Sequence, residues 1–368
     1  MARLRDWVDL GKKTFHSLSP NDVTGLYALE WPETKRMLIA DHRTAIDQEP
    51  RRVKRWVRTL SAIFYGLAKR LAPHRRVLFV VSQIAFFACL ISIFSNMANP
   101  PVWVFIELTA TFLMMTVLLA MELIDKIKIR DELVLARDLQ ASLIPKTLPQ
   151  TAEYEIAAYN HIANTVGGDI YDFVPLPDGR IAVLFGDASG HGMAAGLVMA
   201  VAHAAFRTQL EVDPSPRAIT ASLNRILCRT GGSRSFFSCC YVMLGPDGTF
   251  VATVAGHPPI LKLGAGGRVI ERIGRGAYPL GIKASLQWDE VTGALSPGQW
   301  LLLHSDGLTE ARNAEGNEFG DEPVETIGAS GRGGSARGLV EALVSELRFF
   351  TGGRPAEDDV TIAAIRKR

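Results

Sequence analysis

Two long apolar stretches near the start of the chain restrict its fold more than any other feature. Residues 77–97 carry no charged side chain, and residues 102–124 carry only Glu107 and Glu122. Because a helix rises about 1.5 Å per residue, each stretch can cross the hydrocarbon layer of a bilayer, which is about 30 Å thick. The hydrophobic fraction of the whole chain, 48%, is high for a soluble enzyme and agrees with such segments. We therefore predict two transmembrane helices joined as a hairpin, with two buried helices of a soluble domain as the alternative.

A strongly basic segment precedes the first apolar stretch. Residues 51–76 contain nine lysines and arginines, and seven apolar residues recur among them at helical spacing. These seven are Val53, Trp56, Val57, Leu60, Ile63, Phe64 and Leu67. The pattern predicts a basic amphipathic helix over 51–76 that lies on an anionic membrane surface. An ordinary packed helix with a solvated basic face is the alternative.

Basic residues flank both apolar stretches on the same side, since Lys126, Lys128 and Arg130 follow the second one. The positive-inside rule therefore predicts a multi-pass protein of the cell inner membrane with both termini in the cytoplasm. Residues 1–50 carry no motif from which a role can be inferred.

Residues 125–148 are expected to form a linker helix that continues from the second span. Ile129, Leu133, Ala136, Leu139 and Leu143 recur at spacings of three and four, and Pro145 follows them. This heptad-like stripe is compatible with a homodimer through a two-chain coiled coil, or with docking of the helix on the next domain. Proline then ends the helix.

The remainder of the chain, 149–368, alternates runs of strand-like segments with grouped helical ones. The predicted strands are 154–159, 169–175, 181–186, 235–244, 250–255, 259–263, 300–304 and 360–366, and the predicted helices are 194–211, 216–228 and 336–350. Hairpin turns such as 245–248 join successive strands. This order predicts an α+β domain built on antiparallel sheets and argues against a doubly wound parallel fold.

The segment 181–192, IAVLFGDASGHG, is the first candidate for chemistry. Six mostly apolar residues run directly into Asp187, and a turn of small residues follows. A carboxylate at the end of a rigid strand, with glycines beside it, suits a hard metal ligand. The alternative is that Asp187 only caps the following helix.

Three further aspartates also lie at strand ends. Asp169 opens a predicted strand, Asp306 closes one and Asp358 opens the last. In antiparallel sheets, a residue that opens one strand lies at the same edge as a residue that closes its neighbour, so all four carboxylates can converge. Such a cluster needs cations to balance it, and oxygen ligands favour Mn²⁺ or Mg²⁺ over zinc. Carboxylates that bridge two such ions are typical of phosphate chemistry, although each aspartate can instead cap its own turn.

Composition excludes several other classes of function. The formal net charge is only +2, which gives no reason to expect nucleic acid as a partner. The four cysteines form no CxxC pair, so the sequence predicts neither a zinc site nor a disulfide framework.

Five segments together resemble one known family. They are VGGD at 166–169, GDASGHG at 186–192, AGHPP at 255–259, HSDGLTEARN at 304–313 and EDDVT at 357–361, and ARDLQASLIP at 136–145 precedes them. In this order the chain from about residue 130 is similar to the metal-dependent PPM, or PP2C-type, serine/threonine phosphatases. The similarity is to the bacterial branch of the stage II sporulation phosphatase and the stress-response activators of sigma regulation.

The resemblance implies an αββα sandwich of two antiparallel sheets with two Mn²⁺ or Mg²⁺ ions at the sheet edge. Asp187 would bridge the ions, with the Ala188 carbonyl on one of them, Asp306 and Asp358 on the other, and Asp169 completing the acidic site. Asp187 and Asp306 would act in catalysis through a metal-bound water. Asp359 would support the ligands, and His191 receives no role because it lies four residues after Asp187. His257 and His304 are expected to be structural, whereas Glu310 can support the metal site or lie on the surface.

The resemblance also implies a substrate. In this branch the expected substrate is a phosphoserine or phosphothreonine on a STAS-type anti-sigma-factor antagonist, within a partner-switching pathway. Two alternatives stay open at this point: a catalytically silent membrane scaffold that binds a signalling partner, and a hydrolase of small phosphorylated molecules.

Overall fold

The structure is a computed structural model that describes residues 31–95, 101–149, 151–190, 192–230, 235–274, 276–329 and 334–368. The predictions for residues 1–30, for the hairpin turn at 96–100 and for His191 lie outside the described residues. The chain divides into two units, Met1–Ile127 and Lys128–Arg368, which are taken one at a time.

Helices make up the described part of the first unit. They are α1 (Trp31–Ile39), a 3₁₀ turn (Ala40–His42), α2 (Arg43–Asp47), α3 (Arg52–Arg70), α4 (Pro73–Ser95) and the start of α5 (Val102–Leu143). The basic segment predicted as one helix over 51–76 is divided at Leu71–Ala72. Proline lacks the amide hydrogen needed inside a helix but suits its first turn, so Pro73 begins α4.

Helix α3 carries its apolar stripe on the outside. The side chains of Val53, Trp56, Val57 and Leu60 follow the i, i+3, i+4, i+7 spacing of one helix face and are 76%, 65%, 53% and 37% exposed. Ala62, on the other side, is buried.

Helices α4 and α5 lie antiparallel in this unit. The Arg75 guanidinium bonds Glu122 at 2.9 Å and Asp125 at 2.7 Å, and near the other end the Cys89 thiol donates to the Val104 carbonyl at 3.6 Å. Both helices are long and apolar enough to cross a membrane, and few residues of their apolar stretches are buried within the protein. Helix α5 continues without a break from the apolar stretch into the predicted linker.

Two five-stranded antiparallel sheets form the second unit. The strands are β1 (Tyr154–His161), β2 (Ile170–Pro175), β3 (Ile181–Ala188), β4 (Phe237–Leu244), β5 (Thr249–Ala255), β6 (Ile260–Leu263), β7 (Val269–Ile273), β8 (Val291–Ala294), β9 (Trp300–His304) and β10 (Val360–Lys367). The first sheet has the order β1-β10-β9-β6-β7 and the second the order β2-β3-β4-β5-β8.

Five helices accompany these sheets after the end of α5. They are α6 (Met193–Val212), α7 (Pro216–Thr230), α8 (Asp306–Thr309), α9 (Asp321–Ala329) and α10 (Ala336–Thr351). One buried cluster packs the two sheets face to face, with Phe185 of β3 and Leu303 of β9 among its members. A second packs α6 and α7 on the second sheet, and a third packs α9 and α10 on the first. The layers are therefore helix, sheet, sheet and helix, and the predicted αββα sandwich is confirmed.

Candidate metal centre

Each sheet contributes two of the four aspartates. Asp169 immediately precedes β2, and Asp187 is the second-last residue of β3. The register of these two strands pairs Ile170 with Gly186. In the other sheet, Asp306 begins α8 just after β9, and Asp358 lies two residues before β10, which pairs with β9 through Ile362 and His304. Antiparallel pairing thus brings both residues of each pair to the same end of its sheet.

Hydrogen bonds join the β2–β3 end of one sheet to the β9–β10 end of the other. The Thr361 hydroxyl of β10 donates to Asp169 Oδ2 at 2.6 Å. The Asp359 carboxylate accepts the amide of Gly168 at 2.7 Å and the amide of Ala163 at 2.8 Å, so it holds the segment before β2 from the opposite sheet. All four strand ends therefore meet at one place, as the strand-end argument predicted.

The pKa values show how strongly the carboxylates interact. Burial raises the pKa of Asp187 to about 8, and the negative charges of Asp306, Asp358 and Asp359 add to the effect. Burial also raises the pKa of Asp169 well above its ordinary value, with Asp187 as the next cause. Asp169 is only 2% exposed, and a hydrogen bond with Asp187 partly offsets the shift of the Asp187 pKa. At neutral pH the buried pair therefore retains at least one proton that a bound cation would displace.

Two glycine positions allow the close approach of backbone and carboxylate. A Cβ at Gly168 would lie 2.6 Å from the Ala188 carbonyl oxygen and 2.7 Å from Asp187 Oδ1. A Cβ at Gly307 would collide with the backbone carbonyl of Asp359. Any side chain at either position would push the aspartates and the Ala188 carbonyl apart.

The donor set fits a divalent cation of the magnesium type, because it offers carboxylate oxygens and a carbonyl. Across the part of the chain that the structure describes, no three side chains of His, Cys, Asp or Glu close around one point as a complete shell would. The backbone carbonyl of Ala188 offers one further oxygen ligand beside these side chains. Asp306 is half-buried and Asp358 is exposed, so rotation of their side chains can complete the shell.

His257 and His304 have buried, neutral rings. Nδ1 of His257 lies 3.0 Å from the Ser238 hydroxyl. Burial lowers the pKa of His257 to about 3, and the nearby His304 is the second cause. Burial also lowers the pKa of His304, whose Nδ1 lies 3.1 Å from the Ser305 carbonyl. Glu310 is exposed, and its pKa is raised first by burial and then by Asp306, which places it beside the centre.

The sequence analysis did not identify Gln140 of helix α5, which binds Gly167 in the segment before β2. Its side chain is 4% exposed; Nε2 donates to the Gly167 carbonyl at 2.7 Å, and the Gly167 amide donates back to Oε1 at 3.0 Å. The available signal was a glutamine on the same helix face as Leu133, Ala136 and Leu143, which are half-buried. Ile129 and Leu139, from the same predicted stripe, are 59% and 71% exposed.

Comparison with known proteins identifies relatives of the second unit. The family described as "Stage II sporulation protein E (SpoIIE)" matches residues 177–368, which include Asp187, Asp306 and Asp358. The phosphoserine phosphatase RsbU of Bacillus subtilis is 24% identical over 243 residues, covering 66% of this chain and 71% of that protein.

Two solved structures are similar in fold. The SiaA-PP2C domain of Pseudomonas aeruginosa superposes with a TM-score of 0.58 at 22% identity, over 66% of this chain and 99% of that one. The RsbU and RsbW domains of Rv1364c from Mycobacterium tuberculosis give a TM-score of 0.53 at 28% identity, over 61% of this chain and 63% of that one.

Proposed function

The chain belongs to the SpoIIE family, and we propose that it acts as a membrane-anchored phosphatase that uses two Mn²⁺ or Mg²⁺ ions to hydrolyse phosphoserine or phosphothreonine in a partner protein. As a member of this family it is a protein serine/threonine phosphatase of the PP2C type. The observation that carries the metal assignment is the convergence of Asp169, Asp187, Asp306 and Asp358 from two sheets, with the pKa of Asp187 raised to about 8.

Named residues would hold the ions. The carboxylates of Asp169, Asp187, Asp306 and Asp358 and the carbonyl of Ala188 would hold the two ions. When bound, the ions would polarise the phosphoryl oxygens and make water a stronger nucleophile near neutral pH.

The other residues of the centre keep this arrangement in place. Asp359 accepts two backbone amides and fixes the segment before β2, and Thr361 orients the Asp169 carboxylate. A bound cation would take the place of the proton that Asp169 and Asp187 retain at neutral pH. Gly168 and Gly307 leave room for the carbonyl and carboxylate oxygens to face the same point.

The direct test is hydrolysis of a phosphoserine peptide by the full chain in detergent. We expect release of phosphate with Mn²⁺ or Mg²⁺, none in excess EDTA, and a loss of at least about a hundredfold in Asp187→Asn. Asp289→Asn, which alters an exposed aspartate just before the edge strand β8, serves as the matched control. Hydrolysis that persists in EDTA, or an unimpaired Asp187→Asn variant, would refute the metal assignment.

The same assay separates the two alternatives. A silent scaffold would release phosphate from no substrate under any metal. A hydrolase of small molecules would turn over nucleotides or sugar phosphates with a higher kcat/KM than the phosphopeptide.

The proposed substrate within the cell is a phosphorylated STAS-type anti-sigma-factor antagonist in a partner-switching pathway. The support is the membership of the family and the similarity to the phosphoserine phosphatase RsbU. Phosphoproteomics of cells that carry Asp187→Asn should show the accumulated substrate. Accumulation of phosphoproteins without a STAS domain, and of none with one, would reject this partner.

The proposed location is the cell inner membrane, with α4 and α5 as the two spans and both termini in the cytoplasm. Two apolar helices and the exposed apolar stripe of α3, set among basic residues, support this placement. A reporter fused after Arg368 should give a cytoplasmic signal, and an external signal would overturn the hairpin.

A homodimer through the linker part of α5 is also proposed, because Ile129 and Leu139 lie exposed there. Sedimentation of the full chain in detergent should show a dimer that Leu139→Asp weakens. A monomer in the parent protein would reject it.

A further inference from the structure

A cleft of about 750 Å³ lies directly beside the aspartate cluster. Its walls come from the end of β1, the residues after α8, the last turns of α10 and the segment that leads into β10. Gly307 and Asp358 line it and also belong to the proposed metal centre. A protein segment held by its phosphate at that centre can therefore continue into this cleft.

The cleft is too large to serve the phosphoryl group alone. Its volume is in the range of sites that enclose ligands of several hundred daltons. Val344 and Leu347 of α10 give the cleft an apolar wall. The nearly parallel rings of Tyr159 and His161, which lie side by side on β1 with centroids 6.5 Å apart, also line it. Such a wall suits the backbone and side chains of an extended peptide.

Three arginines from separate segments line the same cleft: Arg312, Arg348 and Arg354. Arg312 bonds Glu318 at 2.8 Å, and Arg354 donates to the backbone carbonyls of Arg312 at 3.1 Å and Thr351 at 3.3 Å. Arg348 is exposed and pairs with no carboxylate among the residues that the structure describes. Arg348 and Arg354 thus keep guanidinium charge that forms no ion pair with a carboxylate of the described residues.

Carboxylates also line the cleft: Glu310, Glu357 and Asp358. Asp358 belongs to the metal centre, and Glu310 lies beside it, so the proposed cations balance this end. The exposed Glu357 is the one remaining carboxylate among the described lining residues, against two unbalanced arginines. The charge of the cleft therefore changes sign along its length, from the acidic metal end to the arginine end.

We propose that this cleft binds the segment flanking the phosphorylated residue of the substrate protein, with an acidic side chain of that segment between Arg348 and Arg354. The inference rests on the proposed phosphatase function and adds a preference for acidic flanking sequence. Guanidinium groups suit carboxylates because they present paired N–H donors.

The test compares two peptides with the same phosphoserine, one flanked by aspartates and one by alanines, using the full chain with Mn²⁺. The parent protein should show a higher kcat/KM for the acidic peptide, and the ratio of the two values should fall about tenfold in Arg348→Glu. Arg348→Gln, which keeps most of the side-chain length without the charge, should reduce the ratio about threefold. Thermal melts by circular dichroism confirm that each variant is folded.

Arg337→Glu is the matched control, because Arg337 lies in the first turn of the same helix and pairs with Glu341 on the surface. It should leave the ratio at the parent value. An equal ratio in the parent and in both Arg348 variants, or the same fall in Arg337→Glu, would overturn the cleft assignment while phosphatase function stands. A parent protein that hydrolyses neither peptide would overturn both.

Discussion

The two aspartate pairs of the centre differ in burial and in anchoring. Asp169 and Asp187 lie at the β2–β3 end, where Asp169 is 2% exposed and receives a hydrogen bond from Thr361, and Asp187 is half-buried. Asp306 and Asp358 lie at the β9–β10 end, half-buried and exposed, respectively. Asp169 is held by the protein before any cation arrives, whereas Asp358, whose Oδ1 accepts the Asp359 amide at 2.8 Å, lies exposed to solvent. After these two members we call Asp169 and Asp187 the buried pair and Asp306 and Asp358 the exposed pair.

This difference has an energetic consequence. Ionising both carboxylates of a buried pair costs free energy unless a positive charge balances them. The folded protein therefore retains a proton there and favours the binding of a cation. The exposed pair is solvated and carries a smaller penalty. We infer that the buried pair sets the position of the proposed cations and that the exposed pair contributes to their affinity.

Replacing one residue from each pair should give the largest difference in activity between the two pairs. Asp169→Asn should lower phosphopeptide kcat/KM by at least about a hundredfold even with excess Mn²⁺, because an amide at this 2%-exposed site cannot supply the negative charge of the carboxylate. Asp358→Asn should raise the Mn²⁺ concentration needed for half-maximal activity by about 10- to 100-fold, and saturating metal should restore much of the rate. Titration of activity with Mn²⁺ checks both, with Asp289→Asn as the control.

The proposed difference between the two pairs is wrong if both variants recover activity to the same extent as the Mn²⁺ concentration rises. Full recovery of Asp169→Asn at high Mn²⁺ would mean that the buried carboxylate is an ordinary exchangeable ligand. An Asp358→Asn variant that no metal concentration restores would mean that the exposed pair is as rigid as the buried one.

The pH dependence of stability should sharpen the same contrast. The pKa of Asp187 is about 8 in the folded protein and near 4 in an unfolded chain, so between these values the folded state holds a proton that the unfolded state lacks. In EDTA, stability is therefore fully present below pH 4 and is lost as pH rises toward 8, by about 1.4 kcal/mol per pH unit for one proton. At about 2–4 °C per kcal/mol, the melting temperature should fall by several degrees per unit.

Mn²⁺ should reverse this trend, because the cation replaces the proton and binds more tightly as pH rises. Melts from pH 5 to 8 with EDTA and with Mn²⁺ should therefore diverge as pH increases. Asp187→Asn should reduce the slope in EDTA, and Asp289→Asn should leave it as in the parent. Parallel curves with and without metal would show that the buried pair does not hold the proton.

The sequence was informative where both faces of an element are buried. Strand β3 has a nearly continuous apolar run because it lies between the opposite sheet and a helix layer, and it was predicted as a strand. Strands β7 and β8 were missed because they are short and largely exposed, so neither shows the long apolar run of a buried strand. The short helices α8 and α9 were also missed, whereas α5 runs from the apolar stretch into the linker as predicted.

The same distinction applies to the centre. Strand-end position was enough to predict that Asp169, Asp187, Asp306 and Asp358 converge. The contacts that hold them were not predictable, since Thr361 and Asp169 are 192 residues apart and their pairing depends on how the two sheets face each other. Gln140 was missed for a related reason: a polar residue on a half-apolar helix face is ordinary until its partner is known.

Gln140 offers the finest test, because it supports the buried pair from outside the sheets. Gln140→Ala leaves the buried amide and carbonyl of Gly167 without partners, at a cost of about 1–3 kcal/mol in local stability. We expect a roughly tenfold decrease in Mn²⁺ affinity, because Gly167 precedes the segment that carries Asp169. Hydrogen exchange at the Gly167 amide should be slow in the parent and faster in Gln140→Ala, and equally slow in the control Asp138→Ala, an exposed residue of the same helix. Unchanged exchange at Gly167 would show that the glutamine does not anchor this loop, and the rigidity of the buried pair would then have to come from Asp359 and Thr361 alone.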